Sequence, residues 1–193
     1  MRKVVASTFV TLDGVFEDPG GAEGFEHGGW SFKYVGRSED DQNYQADLLR
    51  ETDALLLGRV TYEGFAKAWP AMKDGGWYPE KMNSMQKYVV SSTLRKGEWN
   101  NSTIIKSDVA EEVAKLKQQP GENILIFGSG ELVNSLLRHQ LIDELRLLVH
   151  PVVLGSGRRL FAEGAPVGLT VTEARVFGSG VVLVKYEPAR DKK

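Results

Sequence analysis

Short apolar runs alternate with stretches of helical spacing through about the first 150 residues of the chain. Val4 to Val10 reads as a strand that stops at Asp13-Gly14. Ser38, followed by Glu39, Asp40 and Asp41, has the form of a helix start, with an oxygen cap and acidic groups in the first turn. That helix is predicted to run to about Thr52, with Tyr44, Leu48 and Leu49 inward. Ala54 to Leu57 is a brief buried strand ending in Gly58-Arg59. Thr61 then caps a helix that points Tyr62, Phe65 and Trp69 at the core and stops at Pro70. Tyr88 to Val90 and Ile104-Ile105 are short strands. Ser107-Asp108 starts a helix from Val109 to about Gln118, with Glu111 placed to close a capping box.

The most informative stretch is residues 123–155. Ile124 to Phe127 suits a buried strand, and Gly128-Ser129-Gly130 turns the chain. Apolar residues then recur at Leu132, Val133, Leu136, Leu137 and Leu141 with helical spacing. Leu145 to Leu154 returns as a strand. After it, Arg158 to Phe161, Leu169 to Phe177 and Val181 to Glu187 are short segments, the last two joined by Gly178-Ser179-Gly180 as an antiparallel hairpin. The pattern predicts an α/β fold with one mixed, mostly parallel sheet, helices on both faces and an antiparallel C-terminal hairpin. No repeat or linker divides the chain, so residues 1–193 form a single domain, with a frayed tail from Pro188 to Lys193.

Composition narrows the chemistry. Apolar residues make up 41% and charged residues 26%, as in ordinary globular proteins, and the formal charge of −2 offers no basic face to nucleic acid. With no cysteine, disulfides, thiol catalysis and cysteine metal sites are excluded. The three histidines are too scattered for a metal centre. No run approaches the roughly 20 apolar residues of a membrane span, and the N-terminus reads as a strand rather than a signal peptide. The expected location is the cytoplasm, with a small molecule as partner.

Three predicted strand ends carry phosphate-friendly groups: Gly58-Arg59 with Thr61, Ser91-Ser92-Thr93, and Gly128-Ser129-Gly130. Glycines admit a ligand to the backbone, and a helix start offers unpaired N–H groups to an anion. Arginine adds a charge clamp. Each junction also has a plain reading as a tight turn. If the strands are parallel, all three ends share one edge of the sheet, where α/β proteins bind ligands, and together they describe an elongated anion of dinucleotide size.

LLLGRVTYEGF, VVSSTL and IFGSGELVNSLL, in that order, resemble the NADPH-binding segments of the dihydrofolate reductase fold. IFGSGELVNSLLRHQLIDELRLLVHPVVLGSGRRLF, with STFVTLDG near the start, more closely resembles the reductase domain of bacterial riboflavin biosynthesis. The resemblance spans nearly the whole chain and implies a dihydrofolate-reductase-like sheet, NADPH across the strand ends, and a homodimer. It implies that Gly58, Arg59 and Thr61 hold cofactor phosphates and that Ser91 and Ser92 lie by the 2′-phosphate. Gly128, Ser129, Gly130, Glu131 and Leu132 would follow the pyrophosphate and nicotinamide, with Thr11 to Gly14 beside the nicotinamide and substrate. Two positions depart from the riboflavin reductases: Phe127 stands where an acidic residue commonly precedes the glycine turn, and Val15 where a basic residue commonly follows Asp-Gly. Asp40, Asp41 and Asp47 occupy about the helix that carries the pterin-binding carboxylate of dihydrofolate reductase, so Asp41 is a candidate substrate contact; a solvated helix face is the alternative.

Asp13 is the expected polar contact or proton path, with Thr11 beside it and Gly14 at the substrate; a turn aspartate is the alternative. Residues 17–31 hold five glycines and read as a mobile loop or lid, with Trp30 able to wall a planar substrate. Trp69 could do the same or pack in the core. His27 is a surface histidine or substrate contact, His139 sits at a helix C-terminus, and His150 lies within an apolar strand. Arg158 and Arg159 meet a substrate phosphate or lie in a solvated turn. The expected function is an NADPH-dependent reductase acting on a small heterocycle, imine or carbonyl. The alternative is a nucleotide-binding protein without catalysis, suggested by Val15 and Phe127.

Overall fold

The structure, a computed structural model, describes residues 1–72, 74–161 and 166–189. One eight-stranded sheet spans it. The strands are β1 (Val4–Thr11), β2 (Thr52–Gly58), β3 (Gln86–Val90), β4 (Ser102–Ile105), β5 (Asn123–Phe127), β6 (Glu144–His150), β7 (Leu169–Val176) and β8 (Val182–Pro188). Their order is β4-β3-β2-β5-β1-β6-β8-β7. The six strands from β4 to β6 are parallel, and β8 and β7 extend the sheet antiparallel.

Alternation along the strands sorts the core onto two faces. Val4, Ala6, Leu56, Ile124 and Ile126 pack with Val113 and Leu116 of α5 (Val109–Gln118) and Val133 and Leu136 of α6 (Gly130–Arg138). Val5, Leu55, Leu57 and Leu125 face the other way, onto α2 (Glu39–Arg50), α3 (Arg59–Ala68) and α4 (Trp77–Ser84). A residue's neighbour along a strand points to the opposite face, so both faces must be apolar where helices cover both. Beyond the helices the outer strands divide differently. Val149, Val182 and Val176 face one side with Val184 and Ala174, while Arg146, Lys185 and Glu173 share the other.

Four local expectations need correction. Thr61 does not cap α3: the cap position is Gly58, the helix starts at Arg59, and the Thr61 hydroxyl is used elsewhere. No capping box forms on α5; Asp108 is left-handed and its carboxylate accepts from the Ser107 hydroxyl. The strand β6 ends at His150, before Pro151, rather than continuing to Leu154. Beyond Pro70 a single 3₁₀ turn leads into α4, which the sequence reading did not anticipate because Gly75, Gly76 and Pro79 surround it. Pro79 lies within the first turn of α4, where a missing N–H costs nothing. The capping box at Ser38 with Asp41 is present as read. Residues 190–193 of the expected tail lie outside the described residues. No helix among the described residues is long and apolar enough to cross a membrane.

Candidate functional site

Because β3, β2 and β5 are parallel neighbours, their C-terminal ends stand side by side, and the three junctions meet on one edge. Two of them are joined directly. The Gly58 amide donates to Ser129 Oγ at 2.9 Å, and Ser129 Oγ lies 3.2 Å from Thr61 Oγ1. A Cβ at position 58 would come within 2.4 Å of Ser129 Oγ, so the approach requires glycine there. Gly128 and Ser129 both take left-handed conformations, at φ 57° and 58°, and swing the chain from β5 into α6. Such a backbone is uncommon for serine and marks an over-determined turn.

The first backbone bond of α6 runs from the Val133 amide to the Ser129 carbonyl. The N–H groups of Gly130, Glu131 and Leu132 therefore begin the helix without intrahelical acceptors and present its positive end to the strand edge. The Phe16 ring seals one side; a Cβ on Gly130 would lie 2.6 Å from it. Beside this start a groove of about 560 Å³ is lined by Phe16, Gly130, Glu131, Asn134 and the Arg158 to Phe161 segment. Asn134, which the sequence reading passed over, ties α6 to that segment by donating to the carbonyls of Gly130 and Leu160. A second groove, about 590 Å³, runs between α3 and residues 94–100 and holds none of the predicted phosphate contacts.

Arg59 stands at the first position of α3, half exposed, paired with Glu63 one turn on at 2.9 Å. An exposed pair of this kind is weak, so the guanidinium is free to exchange Glu63 for a phosphate. Ser91 is buried, and its hydroxyl accepts from the amides of Leu94 and Thr93, which makes it a turn-forming residue. Ser92 is exposed beside it.

At the end of β1 the chain makes a compact loop. Buried Thr11 donates through its hydroxyl to Asp13 at 2.6 Å and accepts the Val15 amide at 2.9 Å. Asp13 also accepts the Gly155 and Leu154 amides. The Thr11 hydroxyl, with those amides, holds the Asp13 carboxyl below its ordinary value. These bonds favour the ionised form and tie the end of β1 to the 154–155 turn. Gly14, left-handed at φ 82°, completes the turn. Val15 is fully buried and leaves no side chain in solution at this point.

Residues 17–31 fold around Asp18, whose carboxylate accepts the amides of Ala22 and Phe25. Trp30 is fully buried at the start of α1 (Trp30–Lys33), donating to the Glu17 carbonyl, so it belongs to the core and not to a mobile loop. Arg158 is exposed, and it pairs with Glu17 at 2.9 Å and Glu23 at 3.4 Å and lies over Phe16. Arg159 donates to the Asp13 carbonyl. The Asp41 carboxylate accepts from Ser38 and from the Ser179 hydroxyl at 3.0 Å, docking α2 onto the β7–β8 turn. Those bonds give Asp41 a structural role at the start of α2. His150, buried against Phe9 and Trp30, is held below the ordinary imidazole value by burial.

An eight-stranded, mainly parallel sheet closed by an antiparallel hairpin, with helices on both faces, defines a dihydrofolate-reductase-like fold. The fold matches dihydrofolate reductase from Enterococcus faecalis complexed with NADP(H) at a TM-score of 0.62, with 15% identity, over 97% of both chains. It matches a putative riboflavin biosynthesis protein from Shewanella sp. PV-4 at 0.75, with 22% identity, over 97% of this chain and 99% of that one. Residues 2–183 match the RibD C-terminal domain, and the chain belongs to that family. The uncharacterized protein YyaP of Bacillus subtilis (strain 168) is 32% identical over 189 residues, 96% of this chain and 94% of that protein.

Proposed function

We propose that this protein is an NADPH-dependent reductase of a small heterocyclic, imine or carbonyl substrate. The observation that carries the reading is the union of Gly58, Thr61 and Ser129 beside three helix N–H groups that have no intrahelical acceptor. That cradle fits a dinucleotide: it has close backbone approach and helix-start donors, with Arg59 and exposed Ser92 flanking it. Gly128 to Leu132 would hold the pyrophosphate, and Arg59 and Ser92 the 2′-phosphate. Thr11, Asp13 and Gly14 would shape the nicotinamide side, with Asp13 fixing the 152–155 turn. When bound, the reduced nicotinamide supplies a hydride to an electrophilic carbon, while water supplies the proton. The chain's part is alignment and exclusion of solvent.

Fluorescence titration with NADPH and NADH tests the reading. Binding of NADPH about tenfold or more tighter than NADH is expected, from the extra phosphate contacts. Absence of NADPH binding would sink it. Hydride transfer from bound NADPH separates it from a nucleotide-binding protein without catalysis.

The proposal includes a homodimer. Val171 and Val176 are 54% and 67% exposed on an apolar side of β7 and β8 that carries no charge. A second copy covers such a patch with a like one. Light scattering should give twice the chain mass, and Val176→Lys should lower it.

A further inference from the structure

Phe127 is the last residue of β5 and immediately precedes the glycine turn. Its ring meets Phe65 of α3 edge-on at 5.8 Å. Phe65 meets Trp69 at 6.0 Å, and Trp69 meets Tyr78 of α4 at 5.6 Å. On β1, next to β5, Phe9 faces the same side and lies 5.0 Å from His150, itself against Trp30. Phe9, Phe65, Trp69, Tyr78 and Phe127 each keep part of their surface open. The row therefore continues the cofactor cradle onto the face shared with α2, α3 and α4.

Charge is withheld from this row. Three aspartates at this end of the sheet are engaged by the protein: Asp13 by Thr11 and two amides, Asp40 by the Gly178 amide, Asp41 by Ser38 and Ser179. Glu17 and Glu23 are paired with Arg158. The Arg37 guanidinium lies over the Phe32 ring, 4.5 Å from its centroid. A charged substituent brought against the rings would lose water among apolar neighbours, whereas a planar ring gains edge and face contacts.

We infer that the row from Phe9 to Tyr78 is the substrate wall of the reductase site and that it selects an uncharged planar ring, rejecting phosphorylated or other anionic relatives. The inference rests on the reductase reading, and Phe127 is its specificity-determining residue. A carboxylate at that point could pair with a polar or cationic ring; phenylalanine can only stack.

The test is quenching of tryptophan fluorescence by 1,4-naphthoquinone and by its 2-sulfonate, on the full chain without cofactor. The chain has no cysteine for the quinone to arylate. The neutral quinone should bind about tenfold or more tighter than the sulfonate. Phe127→Glu should weaken the neutral quinone about tenfold, and Phe65→Leu about fivefold, with NADPH affinity within about twofold of the parent. Equal or tighter binding of the sulfonate would overturn the inference and make Arg37 an anion partner. So would two folded variants that bind the neutral quinone as the parent does. Should either variant fail to fold, the neutral-to-sulfonate ratio of the parent protein decides alone. NADPH affinity is read separately: its loss refutes the reductase reading, and the quinone ratio decides the wall.

Discussion

The two halves of the strand-end edge are built from different materials. The side proposed to hold phosphate is made of backbone: Gly58, Gly128, Ser129 and the first amides of α6 provide its shape and donors, with side chains at the margin. The opposite side is made of rings, Phe9, Phe65, Trp69, Tyr78 and Phe127, each replaceable without changing the path of the chain. A backbone cradle depends on the fold and on a few glycines, so it survives large sequence divergence. A side-chain wall changes with single substitutions.

The sharpest way to break the comparison is to put a side chain into the backbone half. Gly58→Val forces a Cβ into Ser129 Oγ; a destabilisation of about 1–3 kcal/mol and loss of NADPH binding are expected. Urea melts with a parallel NADPH titration check it, and unaltered binding would show that the Gly58–Ser129 approach is irrelevant. Ser129→Ala leaves the Gly58 amide without its acceptor, which should cost about 1–2 kcal/mol of stability and weaken NADPH several-fold. Arg59→Ala should leave the melting temperature nearly unchanged, since its pair with Glu63 is exposed. It should lower the preference for NADPH over NADH about tenfold, read by the same titration.

The smallest effect belongs to the ring half. Burial lowers the His150 pKa below 6.5, with Asp41 opposing it. Below pH 6.5 the unfolded chain therefore binds a proton that folded His150 resists. Stability from this group is complete above pH 6.5 and is lost as pH falls toward the lowered folded value. Urea melts at pH 7 and pH 5 should differ less for His150→Phe than for the parent, and equal slopes would remove His150 from the account.

Much of the fold was legible because hydrophobic periodicity is local. The strands β1, β2, β5 and the final hairpin follow from runs such as Ala54 to Leu57 and Ile124 to Phe127, and α2 from Ser38 and its acidic turn. The helix α4 was missed because its glycines and proline hide a short apolar face, Pro79 and Met82, that only packing makes helical. Thr61 and Ser91 were read correctly as hydroxyls near strand ends, but their partners were not foreseeable. Thr61 reaches Ser129, 68 residues away, while Ser91 turns back on its own loop.

By itself the sequence determined the alternation of strands and helices, the three glycine- and hydroxyl-bearing strand ends, and the absence of thiol chemistry, because each depends on residues near in the chain or on composition. Tertiary structure alone decided that β3, β2 and β5 lie adjacent, that Asp13 and Asp41 are held by distant turns, that Trp30 is interior, and that Phe127 joins Phe65 and Trp69. These follow from strand order and long-range packing, and the free energy that selects them is shared among residues far apart in the chain.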